Sequence, residues 1–451
     1  MARITSMRER ALEIAATLRA QGYQAWLVGG CVRDLALGRE PKDYDVATDA
    51  TPDRLVELFP RADLVGAHFG VALIDGVEVA TFRSDHAYRD GRHPERVVFE
   101  NDPKQDVLRR DFTINALLLD PEASRAGGGM FLNQATIVDY VGGLEDLRTG
   151  IIRAIGDPER RFQEDHLRML RAVRFAARFE FRIEPATMAA IQKLRSSIRR
   201  VSAERIRDEL VRILTEGHAR RGFELLDESG LLVEILPEVA AMKGVEQPPE
   251  FHPEGDVWVH TLIMLDRLPE HPPATLAMGV LLHDVGKPPT FRIAERIRFD
   301  GHVEAGEKIA CEILKRLKFS NDEIHQIVAL VANHMRFADV TRMRESTVKR
   351  FMRLPKFEEH LELHRIDCLS SHGNLQNYEF MKARFEEMPA EELRPPRLLT
   401  GRDLIEAGYT PGPQFTEMLN AVEDAQLEGR IQTREQGLQL VQERWPLPAS
   451  E

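Results

Sequence analysis

The rhythm of hydrophobic and polar positions changes along the chain. Up to about residue 145, short apolar runs alternate with short amphipathic stretches. The N-terminal "MARITSMRERALEIAATLRAQG" predicts an amphipathic helix ended by Gly22, without a hydrophobic signal region. "QAWLV" predicts a buried strand stopping at Gly29-Gly30, "CVRDLALG" a short helix stopped by Gly38, and "DYDVAT" a second strand. "TPDRLVELF" predicts a helix with Thr51 as N-cap and Pro52 in first position. "GVALIDGVEVATF" predicts a hairpin turning at Asp75-Gly76, and "RRDFTINALLLD" leads into a further strand. A loop with Gly127 to Gly129 closes this part.

From about residue 155 to 240 a period of 3.6 takes over, as in "EDHLRMLRAVRFAARF" and "SAERIRDELVRIL". The break "EQPPEFHPEGD" separates this from a second helical region running to about residue 370. Pro389, Pro395, Pro396, Pro411 and Pro413 then introduce a last helical unit. The predicted class is α+β: a head of mixed sheet with helices, followed by all-helical regions. The expected boundaries are 1–145, 146–250, 251–375 and 376–451. At about 150 residues per domain, 451 residues is too long for one.

Composition narrows the picture. Hydrophobic (43%) and charged (30%) fractions are those of an ordinary globular protein, and no apolar run approaches the ~20 residues of a membrane helix, so no membrane partner is expected. Cys31, Cys311 and Cys368 are scattered and odd in number, which predicts a reducing cytoplasm and no disulfide framework. The net charge of −12 argues, by itself, against a nucleic-acid partner. Binding follows local charge, however, and residues 148–221 hold 18 Lys/Arg against 10 Asp/Glu. A solvated helical face explains such a stretch equally well.

The densest chemistry lies in "AWLVGGCVRDLALGREPKDYDVATDATP". On a strand, Asp43 and Asp45 would point to one face, and two adjacent carboxylates are costly unless a cation neutralises them. A hard divalent ion, Mg²⁺ above all, suits the pair and leaves room for substrate phosphates. Gly29 and Gly30 let backbone N–H groups approach an anion at a helix N-terminus, and Arg33 adds a guanidinium fork. Phosphate cradle plus metal pair predicts nucleotidyl or phosphoryl transfer.

These residues resemble the G-G-x-V-R-D … D-x-D signature of the bacterial class of the poly(A) polymerase and tRNA CCA-adding superfamily. The resemblance runs closely over residues 25 to about 215. It implies Glu78 as third carboxylate. It implies a ribose-recognition motif in "RRDFTIN", where Arg110 holds phosphate or base, Asp111 accepts from a 2′-hydroxyl and Asn115 completes the motif. "DYVGGLEDL" resembles the hinge motif that follows. In "EDHLRMLRAVR", Asp165 and Arg168 are three apart and would share one helix face. In the family this motif is an amino-acid template selecting CTP or ATP, with Arg171 and Arg174 continuing towards base and triphosphate. "LVGAHFGVALI" stands where poly(A) polymerases carry a basic G-R-R-F segment. "FRSDHAYRDGRHPERVVF" resembles the flexible loop of CCA-adding enzymes and keeps Asp90 and Arg92. The implied activity is template-independent addition of CCA to tRNA 3′ ends from CTP and ATP, with addition of A alone or poly(A) synthesis as alternatives. The tRNA acceptor stem would lie on the basic helices.

A second constellation follows. A lone histidine on an apolar helix is ordinarily a core residue. Here His260, His283-Asp284, His302, His334 and Asp367 recur together, and imidazole with carboxylate suits a divalent transition metal or Mg²⁺. The order H…HD…H…H…D resembles the all-helical HD phosphohydrolase superfamily. It implies an HD domain over 251–375 in which water, activated by the metal, attacks a phosphoester such as a 2′,3′-cyclic phosphate on an RNA end. An HD hydrolase with an RNA-binding head is the competing reading. The last segment resembles the C-terminal tail of bacterial members.

Overall fold

The computed structural model describes residues 6–65, 70–88, 94–126, 136–250 and 252–447. The chain forms two compact units, Met1–Ala240 and Ala241–Glu451. No described helix is long and apolar enough to cross a membrane.

Nine strands belong to the head of the first unit: β1 (Ala25–Val28), β2 (Asp45–Thr48), β3 (Asp63–Leu64), β4 (Val71–Ile74), β5 (Val77–Thr81), β6 (Arg83–Tyr88), β7 (Pro94–Phe99), β8 (Leu117–Leu119) and β9 (Ile137–Asp139). Seven of them form one mixed sheet in the order β3-β4-β5-β2-β1-β8-β9, and β6 pairs with β7 separately. The β2–β5 pair is parallel and the other pairs of the large sheet are antiparallel. The β4–β5 turn is the predicted one: Asp75 and Gly76 both have positive φ (48° and 86°), as a two-residue turn between twisted strands requires. Helix Met7–Ala20 buries Ala11, Leu12, Ile14, Ala15 and Leu18 at helical spacing, and its first turn carries a Ser6/Glu9 capping box. The central strands bury Leu27, Val46, Val79 and Leu117 completely.

The strand expected at residues 43–48 begins only at Asp45. Its last partner on β1 is Val28, after which β1 turns into helix Gly30–Ala36, so Asp43 has no neighbour to pair with. The helical part of this unit holds Pro158–Glu164, Arg168–Phe179, Pro185–Leu194, Ala203–Thr215 and Ala219–Glu228. It is not wholly helical, because Ile151–Ile152 pairs in parallel with Arg182–Ile183.

The second unit is built on helices Val257–Asp266, Ala274–Leu282, His302–Arg316, Asn321–Asn333 and Phe357–Ser370. Here too a small ladder departs from the all-helical expectation, the hairpin Arg292–Ile293 with Ile297–Arg298. One core gathers Phe337, Phe351, Phe357 and Met381. Another, formed by the terminal helices, gathers Leu404, Met418, Val422 and Val441.

Candidate active sites

In the first unit, the register of the sheet builds one site. Asp45 has Val28 as its Cα partner on one side and Glu78 on the other. The strand-to-helix switch follows Val28, so Gly29 lands beside Asp45. Gly29 has φ 73°, and a Cβ there would sit 3.1 Å from the Arg110 guanidinium and 3.7 Å from Asp45 Oδ2. The positive φ calls for glycine, and a side chain there would crowd Arg110. Asp43 and Glu78 are exposed and Asp45 is half-buried. Burial, then the charge of Glu78, push the Asp45 carboxyl up to about 6; Arg110 opposes the shift and Asp43 adds to it. A divalent cation among the three would relieve that repulsion, and their all-oxygen donors fit a hard ion.

A cleft of about 490 Å³ adjoins Asp45. Gly30, Arg33, Arg110, Asp111, Asn115, Asp165, Arg168, Arg171 and Arg174 line it, and so do Arg109, Phe175, Arg178 and Arg212. The predicted residues of this half therefore converge, but several of their details differ from expectation. Arg33 is buried with its fork committed: Nε donates to Asp34 (2.8 Å), one terminal nitrogen to Asn115 Oδ1 (2.6 Å), and the guanidinium lies over Phe179. Asp111 accepts from Phe112 N and Asn115 Nδ2 at Oδ1, and from Arg171 Nε and Nη2 at Oδ2. Its four acceptor positions are filled, so a further donor reaches it only when one of these lets go. Burial raises the Asp111 carboxyl, but Arg171 and Asn115 outweigh it and hold it down at about 2.

Asp165 and Arg168 do not share a helix. Helix Pro158–Glu164 ends at Asp165, which is extended (φ −149°, ψ 106°), and the next helix starts at Arg168. The Asp165 carboxylate makes the break by accepting from Leu167 N (3.1 Å), and its other oxygen pairs with Arg205 (2.8 Å). Arg168 is held by Glu164 (2.9 Å) and by the Arg109 carbonyl (3.1 Å). Arg174 is buried between Glu209 (2.7 Å) and Glu216 (3.1 Å), so it anchors the helix pair with its charge already matched.

Sequence reasoning missed Asp106, fully buried, which orients both Arg109 and Arg110; their spacing at i+3 and i+4 in "DVLRRD" was the available signal. It also missed Glu209 and Arg205, which reach their partners from 35 and 40 residues away. The basic stretch 148–221 is largely laced by carboxylates. Among the described residues, only Arg182 and Arg200 of its cations lack an ion pair. Asp90 and Arg92 lie outside the described residues.

In the second unit all six predicted residues meet. Two triads have ligand atoms within 4.8 Å of one another: His260, His283 and Asp367, and Asp284, His302 and His334. Asp284 joins them. Its Oδ2 lies 3.0 Å from His283 Nε2, while its Oδ1 lies 3.8 Å from His334 Nε2 and 4.0 Å from His302 Nε2. Each imidazole is fixed through Nδ1: by Glu254 on His260 (2.6 Å), Val280 O on His283 (2.8 Å), Phe299 O on His302 (3.0 Å) and Val331 O on His334 (2.7 Å). All four Nε2 atoms are buried and turned inward: those of His283 and His260 face carboxylate oxygens of Asp284 (3.0 Å) and Asp367 (3.2 Å), and those of His302 and His334 have no hydrogen-bond partner. Imidazoles oriented through Nδ1, with their Nε2 atoms turned in towards shared carboxylates, fit transition-metal ligands. Glu254 and the nearby His252 were missed; they form a third group with His260. So was Lys287, buried with Nζ 2.7 Å from Asp284 Oδ2 and 2.6 Å from Gln247 Oε1.

The mixed sheet with its carboxylates and arginine cleft is of the poly A polymerase head-domain class, whose family model matches residues 25–153. The model for the RNA and SrmB-binding site of polymerase A matches 180–243, and that for tRNA nucleotidyltransferase domain 2 matches 302–441. The chain thus resembles the CCA-adding enzyme/poly(A) polymerase family along much of its length, each model matching less than half of the chain. It is similar to a CCA-adding enzyme of Lactobacillus helveticus (37% identical over 270 residues, 58% of this chain and 64% of that one). It is also similar to poly(A) polymerase I of Escherichia coli O6:H1 (38% over 248 residues, 51% and 50%). The chain thus spans between a half and two thirds of the curated relatives it matches. The crystal structure of the Bacillus stearothermophilus CCA-adding enzyme in complex with CTP superposes with a TM-score of 0.70 at 27% identity, covering 98% of both chains.

Proposed function

We propose that the chain adds CCA to tRNA 3′ ends from CTP and ATP without a nucleic-acid template. The observation that carries this is the pairing of Asp45, two residues after Asp43, with Glu78 beside a cleft walled by arginines and by Asp165. Mg²⁺ held by Asp43, Asp45 and Glu78 would supply charge neutralisation for both the attacking hydroxyl and the leaving pyrophosphate. The tRNA 3′-hydroxyl loses its proton to solvent as its oxygen bonds to the α-phosphorus, and the bond from that phosphorus to the pyrophosphate oxygen breaks. Arg110 and Arg171 neutralise the triphosphate. As Arg171 turns to phosphate, Asp111 is released to accept from the ribose 2′-hydroxyl. Asp165, carried by Arg205, and Arg168, carried by Glu164, present the acceptor and donor edge that reads the base. The reading divides the chain into head (1–145), neck and body (146–250), HD domain (251–375) and tail (376–451). Its relatives named as CCA-adding enzymes support it.

The inward-facing Nε2 atoms grouped with Asp284 and Asp367 favour a second activity in the second unit, metal-dependent hydrolysis of phosphoesters by an HD domain. The donor set suits a divalent transition metal or Mg²⁺ at Asp284 and its neighbours. Hydrolysis of bis(p-nitrophenyl) phosphate, lost in His283→Ala, tests it.

The first reading is tested on tRNA transcripts lacking CCA, CA or the terminal A, supplied with CTP, ATP or both. Completion of all three supports CCA addition. Extension of only the CC-ended transcript makes this an A-adding enzyme, and long A tails on unrelated RNA make it a poly(A) polymerase.

A further inference from the structure

The histidine–carboxylate cluster opens into a cavity of about 840 Å³, where His252, Lys287, His302 and Asp367 form part of the wall. This is near the upper end of the roughly 300–1,000 Å³ of pockets that enclose a whole small molecule. One phosphate would leave most of it empty. Lys287 is committed to Asp284 and Gln247, so its charge stays with the cluster. A second cationic place lies on the hairpin Arg292–Ile293/Ile297–Arg298. Arg296 and Arg298 line the cavity, are exposed, and have no ion-pair partner among the described residues. The arginines of the first unit's cleft are mostly held by carboxylates; these two are free for a ligand. Ile297, Phe299 and Met335 give the same cavity an apolar surface. Glu250 and Asp300 also line it, which disfavours a long run of phosphates.

We infer that this pocket takes an RNA 3′ end as a dinucleotide unit. The terminal phosphate sits at the cluster, the preceding internucleotide phosphate on Arg296 and Arg298, and a base on Ile297, Phe299 and Met335. The inference rests on the phosphohydrolase reading and adds what that site grips. In the reaction on a 2′,3′-cyclic end, water adds its oxygen to phosphorus, one phosphorus–ribose oxygen bond breaks, and the ribose oxygen takes the proton. A mononucleotide leaves the hairpin arginines unused, so the substrate with two phosphates is preferred.

The test compares adenosine 2′,3′-cyclic phosphate with the dinucleotide ApA ending in 2′,3′-cyclic phosphate, on the full chain. The ratio of kcat/KM, dinucleotide over mononucleotide, is expected to be about tenfold or more, the scale of a charge-assisted contact. In Arg296→Ala/Arg298→Ala that ratio falls to about one, chiefly through KM. A ratio near one in the unaltered chain, or a ratio the double variant leaves intact, overturns the inference. Absence of bis(p-nitrophenyl) phosphate hydrolysis would instead remove the phosphohydrolase reading. The pocket is then judged by affinity alone. ApA with a 3′-phosphate is titrated calorimetrically, with CTP in excess to fill the head cleft. Weakening of about tenfold in the double variant supports the pocket, and equal affinity rejects it.

Discussion

Asp45 and Glu78 are Cα partners on parallel strands, and burial, then the charge of Glu78, push the Asp45 carboxyl up to about 6. Glu78→Gln removes that charge. Asp45 should then ionise at lower pH, and the Mg²⁺ concentration giving half-maximal CTP incorporation should rise about tenfold. Asp45→Asn should lose at least about 10³-fold in rate at any Mg²⁺ concentration. At limiting Mg²⁺, addition should fall as pH drops through about 6, and this limb should move to lower pH in Glu78→Gln. An unmoved limb would mean that Glu78 does not act on Asp45.

Arg205 pairs at 2.8 Å with Asp165, the residue proposed to read the base. Arg205→Ala leaves the nucleotide untouched but frees that carboxylate. Discrimination of CTP over UTP, measured as a ratio of kcat/KM, should shrink by about 1–3 kcal/mol. Loss of total rate at constant discrimination would assign Arg205 to folding alone.

Gly286 is needed for room. A Cβ there would lie 2.0 Å from the His302 carbonyl oxygen and 2.5 Å from Gly306 N, both backbone atoms. Gly286→Ala must push helix His302–Arg316 away, at about 1–3 kcal/mol of stability. Metal retained per chain, read by mass spectrometry, should fall by the share bound at Asp284, His302 and His334. Full metal content with an unchanged Tm would show that the helices adjust freely.

His360 is buried, and burial, then Arg336, lower its pKa from 6.5 to about 4. The folded state therefore binds this proton less readily than the unfolded chain. Stability is fully present above about 6.5 and is lost as pH falls towards 4, by at most about 3 kcal/mol from this residue. His360→Gln should flatten denaturant-derived stability between pH 6.5 and 4. An equal slope in both proteins would locate the acid sensitivity elsewhere.

The sequence exposed features that act locally or through a fixed order. Asp75-Gly76 dictated its turn, and the spaced histidines and aspartates named the six residues that meet in the second unit. What it hid depends on partners. "EDHLRML" keeps an unbroken helical period, yet the Asp165 side chain takes the Leu167 amide and breaks the helix. Asp43 drops off its strand because the neighbouring strand ends first. Glu209 and Glu254 orient other functional groups, and nothing in their immediate neighbours marks them for that role. The two-residue ladders are too short to leave a period at all.

The place of β8 in the sheet sets a condition on synthesis. β1 pairs locally with β2, but its other edge waits for Leu118 and Leu119, some ninety residues further on. Until β8 leaves the ribosome, β1 offers a bare hydrophobic edge. The segment that supplies Arg110, Asp111 and Asn115 immediately precedes β8, so its docking and the closing of that edge are one event. A nascent head can therefore hold its carboxylate strands early and yet lack its completed arginine cleft until the sheet is sealed.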